Sequence, residues 1–216
     1  MTEHYRSVAK SGFLLPAIIS AVWVSLIAVL TDDGIFLDQS TSLPIRLMPA
    51  VLIPPGLFLV AYWSLPSLRA WVMGLDLALV VGVQTFRVIG IVFLIDFAQG
   101  DLPAIFALPA GLGDIAVGIF ALIVTLKVAR DPDRHNGKIR ALVAAGFLDF
   151  TAAFTFATLA SSGMPLAPID TSLPVAAQTL PTSLIPTLAV PFFMIAHLIA
   201  LLKLSSTAPA NNPNVA

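Results

Sequence analysis

Apolar residues fall into six long blocks, at about 13–30, 46–65, 71–95, 104–127, 140–160 and 184–203, with most of the charge in the short stretches between them. Each block approaches the ~20 residues that an α-helix needs to cross a bilayer's hydrocarbon. Every peptide group there must be hydrogen-bonded within the chain, so such blocks form helices. A membrane barrel would alternate apolar and polar residues over about 10-residue strands, and that alternation is absent. The expected fold is all-α, a polytopic transmembrane helical bundle of six spans.

Charge sets the expected orientation. Arg6 and Lys10 precede the first block, Arg69 lies in the second connection, Lys127, Arg130, Arg134, Lys138 and Arg140 surround the fourth, and Lys203 closes the last block. The intervening connections carry Asp32, Asp33 and Asp38, then Asp96 and Asp101, then Asp170, with Arg46 only at the far edge of the first. Basic residues thus alternate from loop to loop, which predicts both termini in the cytoplasm of a multi-pass protein of a bacterial-type inner or plasma membrane. Trp63 and Trp71 bracket the second connection as interfacial aromatics do.

The predicted organisation is a short cytoplasmic segment over 1–12, a six-span membrane domain over 13–203 and a disordered tail over 204–216. The run from Phe13 to Leu30 exceeds the ~7–15-residue core of a signal peptide and has no small-x-small cleavage site behind it, so it reads as a retained span. Two places leave the count open. Pro103, Pro109, Gly111 and Gly113 allow 102–108 to form a separate interfacial piece, and the apolar, Pro-rich stretch 161–181 allows a re-entrant hairpin.

Composition agrees with a lipid-solvated fold: 58% of residues are hydrophobic and 11% charged, against about 25% charged in soluble domains. A net charge of -1 gives no electrostatic footprint for nucleic acid. With no cysteine, disulfides, thiolate metal sites and cysteine nucleophiles are excluded. Three histidines, at 4, 135 and 197, make no multi-histidine metal site. There is no Gly-rich phosphate loop, HExxH, GxSxG or pair of Asp-rich stretches, so no cofactor is expected.

The chemistry-bearing residues are polar groups inside the blocks: Asp76, Gln84 and Arg87 in the third, Asp114 in the fourth, Asp149 in the fifth and His197 in the sixth. An ionised side chain at mid-membrane costs about 2.5–3.5 kcal/mol even on lenient scales, so each is a substrate or proton site candidate by default. Arg87 lies ~12 Å and Asp114 ~15 Å below the same membrane face at 1.5 Å per residue, which makes them partners. On an ideal α-helix Asp76 and Arg87 fall ~20° apart and Gln84 within ~80° of Asp76, giving one polar stripe. Asp76, Asp149 and His197 are expected in a second, inner layer. One arginine cannot neutralise three aspartates, so Asp76 or Asp149 is expected to hold a proton or to reach water. A structural clamp is an equally good reading of Arg87 and Asp114. Simple water access suits Asp76, and a satisfied neutral core residue suits His197.

Small residues (Gly74, Gly111, Gly113, Gly118, Ala144, Ala145, Gly146) accompany these groups and permit close helix approach. Pro54-Pro55-Gly56 is expected to interrupt the second span, and Pro181, Pro186 and Pro191 to bend the entry to the sixth. Gly–Asp pairings recur in the third to fifth spans without mapping one half of the chain onto the other, so no repeat is expected. The leading functional reading is a protein that binds or moves a small solute or proton through a polar site between the third and sixth helices. An intramembrane enzyme acting on a lipid-like substrate through Asp114 or Asp149, and a non-catalytic subunit or assembly factor, are the alternatives. The partners implied are the lipid bilayer, a small solute or proton, and a second copy or a membrane-complex subunit.

Overall fold

The structure, a computed structural model, describes residues 18–19, 21–36, 46–131, 133–161 and 175–206. Its helices are α1 (Ala21–Asp32), α2 (Leu47–Ser64), α3 (Pro66–Gly74), α4 (Leu77–Gln99), α5 (Ala104–Val128), α6 (Asn136–Ser161), α7 (Val175–Gln178) and α8 (Ile185–Ser206). Among the described residues there is no strand. Five of these helices, α2, α4, α5, α6 and α8, are long and apolar enough to cross a membrane; α1 is a shorter apolar helix. Val60, Leu79, Phe86, Leu112, Ile119, Leu148 and Phe192 are each more than half exposed along the outside of these helices. Exposed apolar surface on this scale is stable in lipid and unfavourable in water. The chain is a multi-pass membrane protein built as an all-α bundle.

Several boundaries differ from the sequence reading for local reasons. The third span begins at Leu77 instead of 71, because Leu75 and Asp76 adopt extended backbone and end α3. Asp76 then caps α4, its Oδ1 accepting a hydrogen bond from Leu79 N at 2.9 Å. α3 is a short connecting helix with Pro66 in its first turn, where a missing N–H is harmless. The second span is not interrupted at Pro54-Pro55-Gly56: α2 is helical throughout, since proline's fixed φ is itself helical even though it removes donors. Residues 104–108 likewise continue into α5 through Pro109, with no separate interfacial piece there. At the proline-bearing start of α8, Ile185–Ala189 forms a π-helical turn. The helix continues to Ser206, past the expected start of the tail at 204. Residues 1–12, the connection 162–174 and residues 207–216 lie outside the described residues, so the re-entrant hairpin, most of the tail and the terminal segments do too.

Among the described residues two apolar cores fill the bundle, one toward each end. The first holds Ile27, Leu47, Phe93, Phe106, Ala157 and Ile185, at the end where α2, α5 and α8 begin. The second holds Tyr62, Val81, Val124, Leu142, Ile199 and Leu204, at the opposite end. Basic residues gather at the second end: Lys203 Nζ donates to Met73 O at 2.6 Å, and Arg69 donates to Trp63 O at 3.0 Å. Asp96 lies at the first end, where Thr182 Oγ1 donates to its Oδ2 at 2.7 Å. A polar layer separates the two cores.

Candidate functional site

The middle of α4 is not α-helical. Val83–Gly90 forms a 3-10 helix between the α-helical turns Leu77–Gly82 and Ile91–Gln99. At three residues per turn, side chains three apart eclipse one another. Val81, Gln84, Arg87, Gly90 and Phe93 are accordingly all buried along one edge. This edge, and not the 100° stripe expected from an α-helix, carries the polar residues into the bundle. Asp76 drops out of the stripe, because it sits exposed at a helix start and acts as a cap.

Arg87 is the centre of the layer and has no exposed surface. Its Nε donates to Asp114 Oδ1 at 2.8 Å, and its Nη2 pairs with Asp149 Oδ2. One guanidinium therefore ties α4 to both α5 and α6. The cation also lies 4.0 Å from the ring centroid of Phe150 and 5.9 Å from that of Phe193. Both distances are within the range where an aromatic quadrupole attracts a cation. Gln84 donates to Phe193 O at 2.9 Å, linking α4 to α8. His197 stands between Phe147 and Phe150, with ring centroids 5.6 and 6.3 Å away. His197 Nε2, Gln84 Oε1 and Arg87 Nη1 make no hydrogen bond among the described residues. His197 is thus a buried core histidine, as read from the sequence, but not a fully satisfied one.

Three glycines make room for this layer. A β-carbon on Gly90 would overlap Asp114, one on Gly113 would overlap Asp149 Oδ1, and one on Gly146 would overlap the His197 ring. Gly111 and Gly118, seven residues apart on α5, bring α4 in just as closely; a β-carbon on Gly118 would come within 3.0 Å of Val88 N. Each polar side chain is therefore seated against the bare backbone of the neighbouring helix, the packing that small residues permit between membrane helices.

Above the layer, on the side of the first core, lies a cavity of about 60 Å3. Asp114 and Asp149 form its polar part, and Phe93, Phe106, Phe150 and Phe154 supply aromatic surface. Leu47, Ala177 and Pro186 carry it toward the end where α2 and α8 start. The two carboxylates bind Arg87 through one oxygen each, while Asp114 Oδ2 and Asp149 Oδ1 accept no hydrogen bond among the described residues. Arg87 itself does not line the cavity. Chemically, the arrangement presents carboxylate to an apolar chamber with its cation held behind. Among the described residues no three histidine or acidic side chains gather as a metal site.

Of the six residues named from the sequence, five (Gln84, Arg87, Asp114, Asp149 and His197) form one layer, and Asp76 stands apart. Asp149 and His197 are not an inner tier but belong with Arg87. The reading from sequence did not single out Phe150, Phe193, Gly90 or the cavity phenylalanines. The three-residue spacing of Val81, Gln84, Arg87, Gly90 and Phe93 is the signal that points to Gly90 and Phe93.

Neither the curated proteins nor the solved structures include one that matches the chain. A family model described as "Domain of unknown function (DUF8737)" matches residues 44–205, which take in α2 to α7, all but the last residue of α8 and the whole polar layer. The chain belongs to that family.

Proposed function

We propose that this membrane protein binds a small solute in the cavity bounded by α4, α5, α6 and α8, with Asp114 and Asp149 as the recognition and proton-exchange groups. One observation carries the reading: both carboxylates line the cavity while sharing a single, fully buried arginine. A guanidinium balances one carboxylate, so the second is balanced by a proton or by whatever enters the chamber. A clamp between helices needs no chamber beside it. Basic residues at the opposite end favour an orientation with the cavity facing away from the cytoplasm. The solute then approaches from outside, and the tightly packed second core is the barrier on the cytoplasmic side.

A hydrophobic carbodiimide tests this, because it reacts with protonated carboxyls in apolar surroundings. Treatment of the protein in membranes, followed by peptide mass spectrometry, is expected to place the adduct on Asp149 or Asp114 and not on Asp76. Adducts absent from both Asp114 and Asp149 would contradict the proposal.

A further inference from the structure

We infer that the lipid-facing seam between α5 and α6 binds one anionic phospholipid, its phosphate held between Lys127 and Lys138 and an acyl chain laid along the seam beside them. The inference is independent of the cavity and adds a second ligand site to the bundle. Between Lys127 and Arg140 the chain carries five basic and two acidic residues. Orienting a membrane protein needs only the number of such charges near the helix ends. Their placement here points to a ligand. Lys127 stands in the last turn of α5 and Lys138 in the first turn of α6, and both are exposed. Lys127 stands beside Lys138, and Arg134 is close enough to add its charge to theirs. Among the described residues none of the three makes an ion pair. Asp131, the acid on this turn nearest in sequence to Lys127, accepts from the backbone N–H of Arg134 at 3.4 Å. An ammonium is a donor only, so two of them side by side call for an acceptor that offers several oxygens and a negative charge. A phosphodiester supplies both, and basic sites between spans at the cytoplasmic face hold anionic headgroups in this way.

Helix geometry aims the two cations at the seam. Gly113 and Asp149 mark where α5 and α6 touch. At 100° per residue, Lys127 lies ~40° around α5 from Gly113, and Lys138 lies ~20° around α6 from Asp149. Both cations therefore rise from the same edge of contact. Along that edge α6 presents Ala141, exposed, and Ala145, half-buried, where α4 and α5 cover their outer faces with large apolar side chains. Ile123 of α5 and Leu148 of α6, 48% and 71% exposed, stand to either side. Alanine between branched side chains leaves a shallow channel that an extended methylene chain fills. A free phosphate would satisfy the lysines and leave this channel unused, so the cation pair and the channel together select a lipid.

The test uses the full chain in dodecyl maltoside, with bound lipid counted by native mass spectrometry. Phosphatidylglycerol and phosphatidylcholine of the same acyl chains are added at equal concentration. Phosphatidylglycerol is expected to be retained at least about tenfold more tightly, in a ratio of one per chain. Lys127→Gln combined with Lys138→Gln is expected to remove the preference, and Lys127→Arg combined with Lys138→Arg to keep it. Arg69→Gln removes a cation from the same end of the bundle and is expected to change retention by less than about twofold. Ala141→Phe keeps every charge, fills the channel, and is expected to weaken phosphatidylglycerol about three- to tenfold. Soluble glycerol 1-phosphate at the same concentration is expected to displace none of it. Equal retention of the two lipids overturns the inference. A loss with Arg69→Gln as large as with the lysine pair would reduce the site to diffuse surface attraction and overturn it too. Unchanged retention in Ala141→Phe, or displacement by glycerol 1-phosphate, would mean that no acyl chain is held, with the same result.

Discussion

Gly113→Ala is a one-carbon change whose consequence comes from the geometry of the polar layer. The added β-carbon would occupy the place of Asp149 Oδ1, so either the carboxylate rotates away from Arg87 or α5 and α6 separate. Rotation breaks one of the two ion pairs of a fully buried arginine, and breaking a buried pair from one side costs about 3–5 kcal/mol. Separation opens the packing between α5 and α6, and overpacking of this kind costs about 1–3 kcal/mol. Alanine returns up to about 1 kcal/mol in helix propensity. The cheaper response governs, so the net expectation is a loss of about 1–2 kcal/mol. Gly56→Ala is the control, because a β-carbon there meets nothing within 4 Å, and it should be neutral or slightly stabilising. Stability is measured by denaturant titration in mixed micelles, with each change also made in an Asp149→Ala background. There the obstructing carboxylate is gone, and Gly113→Ala should cost nothing further. A Gly113→Ala variant as stable as Gly56→Ala, or one equally damaging with and without Asp149, would refute the packing argument.

Other expectations follow from the same layer and from the ends of the helices. Asp114→Asn should cost about 3 kcal/mol, and adding Arg87→Gln should recover little of it, since Asp149 then loses its cation; the triple change with Asp149→Asn should recover most, as read by unfolding midpoints. Arg87→Lys should destabilise nearly as much as Arg87→Gln, because an ammonium supplies neither the fork that reaches two carboxylates nor the flat face stacked on Phe150. Asp76→Ala should cost only about 1 kcal/mol, the loss of a helix cap, and leave carbodiimide labelling of Asp149 unchanged. A topology reporter fused after Asn136 should read cytoplasmic and one after Asp170 external, with both on one side sinking the orientation.

The parts of this fold that were legible in the sequence are those written in local patterns. Apolar length marked the spans, and depth along two adjacent helices paired Arg87 with Asp114, now seen at 2.8 Å. Asp149 was recognisable as a deep carboxylate, but its partner is 62 residues away and the pairing depends on how α6 packs, which no local pattern encodes. The ideal α-helical angle misplaced Asp76 because the third span has a break at Leu75 and a 3-10 middle. Proline misled in the opposite direction: Pro54 and Pro55 do not break α2, whereas the departure from α-helix in α4 contains no proline at all. Gly113 and Gly146 were visible as small residues. That each clears space for a particular polar group, Asp149 and His197, emerges only when three helices are placed together.

The cavity leads from one end of the bundle to Asp114 and Asp149 and stops there. The chain contains no cysteine, so single-cysteine variants report one position each without background. Ala153→Cys and Ala110→Cys line the cavity, while Ala121→Cys and Ala200→Cys are buried in the core beyond the polar layer. The decisive measurement is the rate at which membrane-impermeant thiol reagents of opposite charge modify these four variants from the external side of oriented vesicles. Modification of positions 153 and 110, faster with the cationic than the anionic reagent, and none at 121 and 200, is the predicted result. Protection of 153 and 110, or equal reaction at all four positions, would contradict the account.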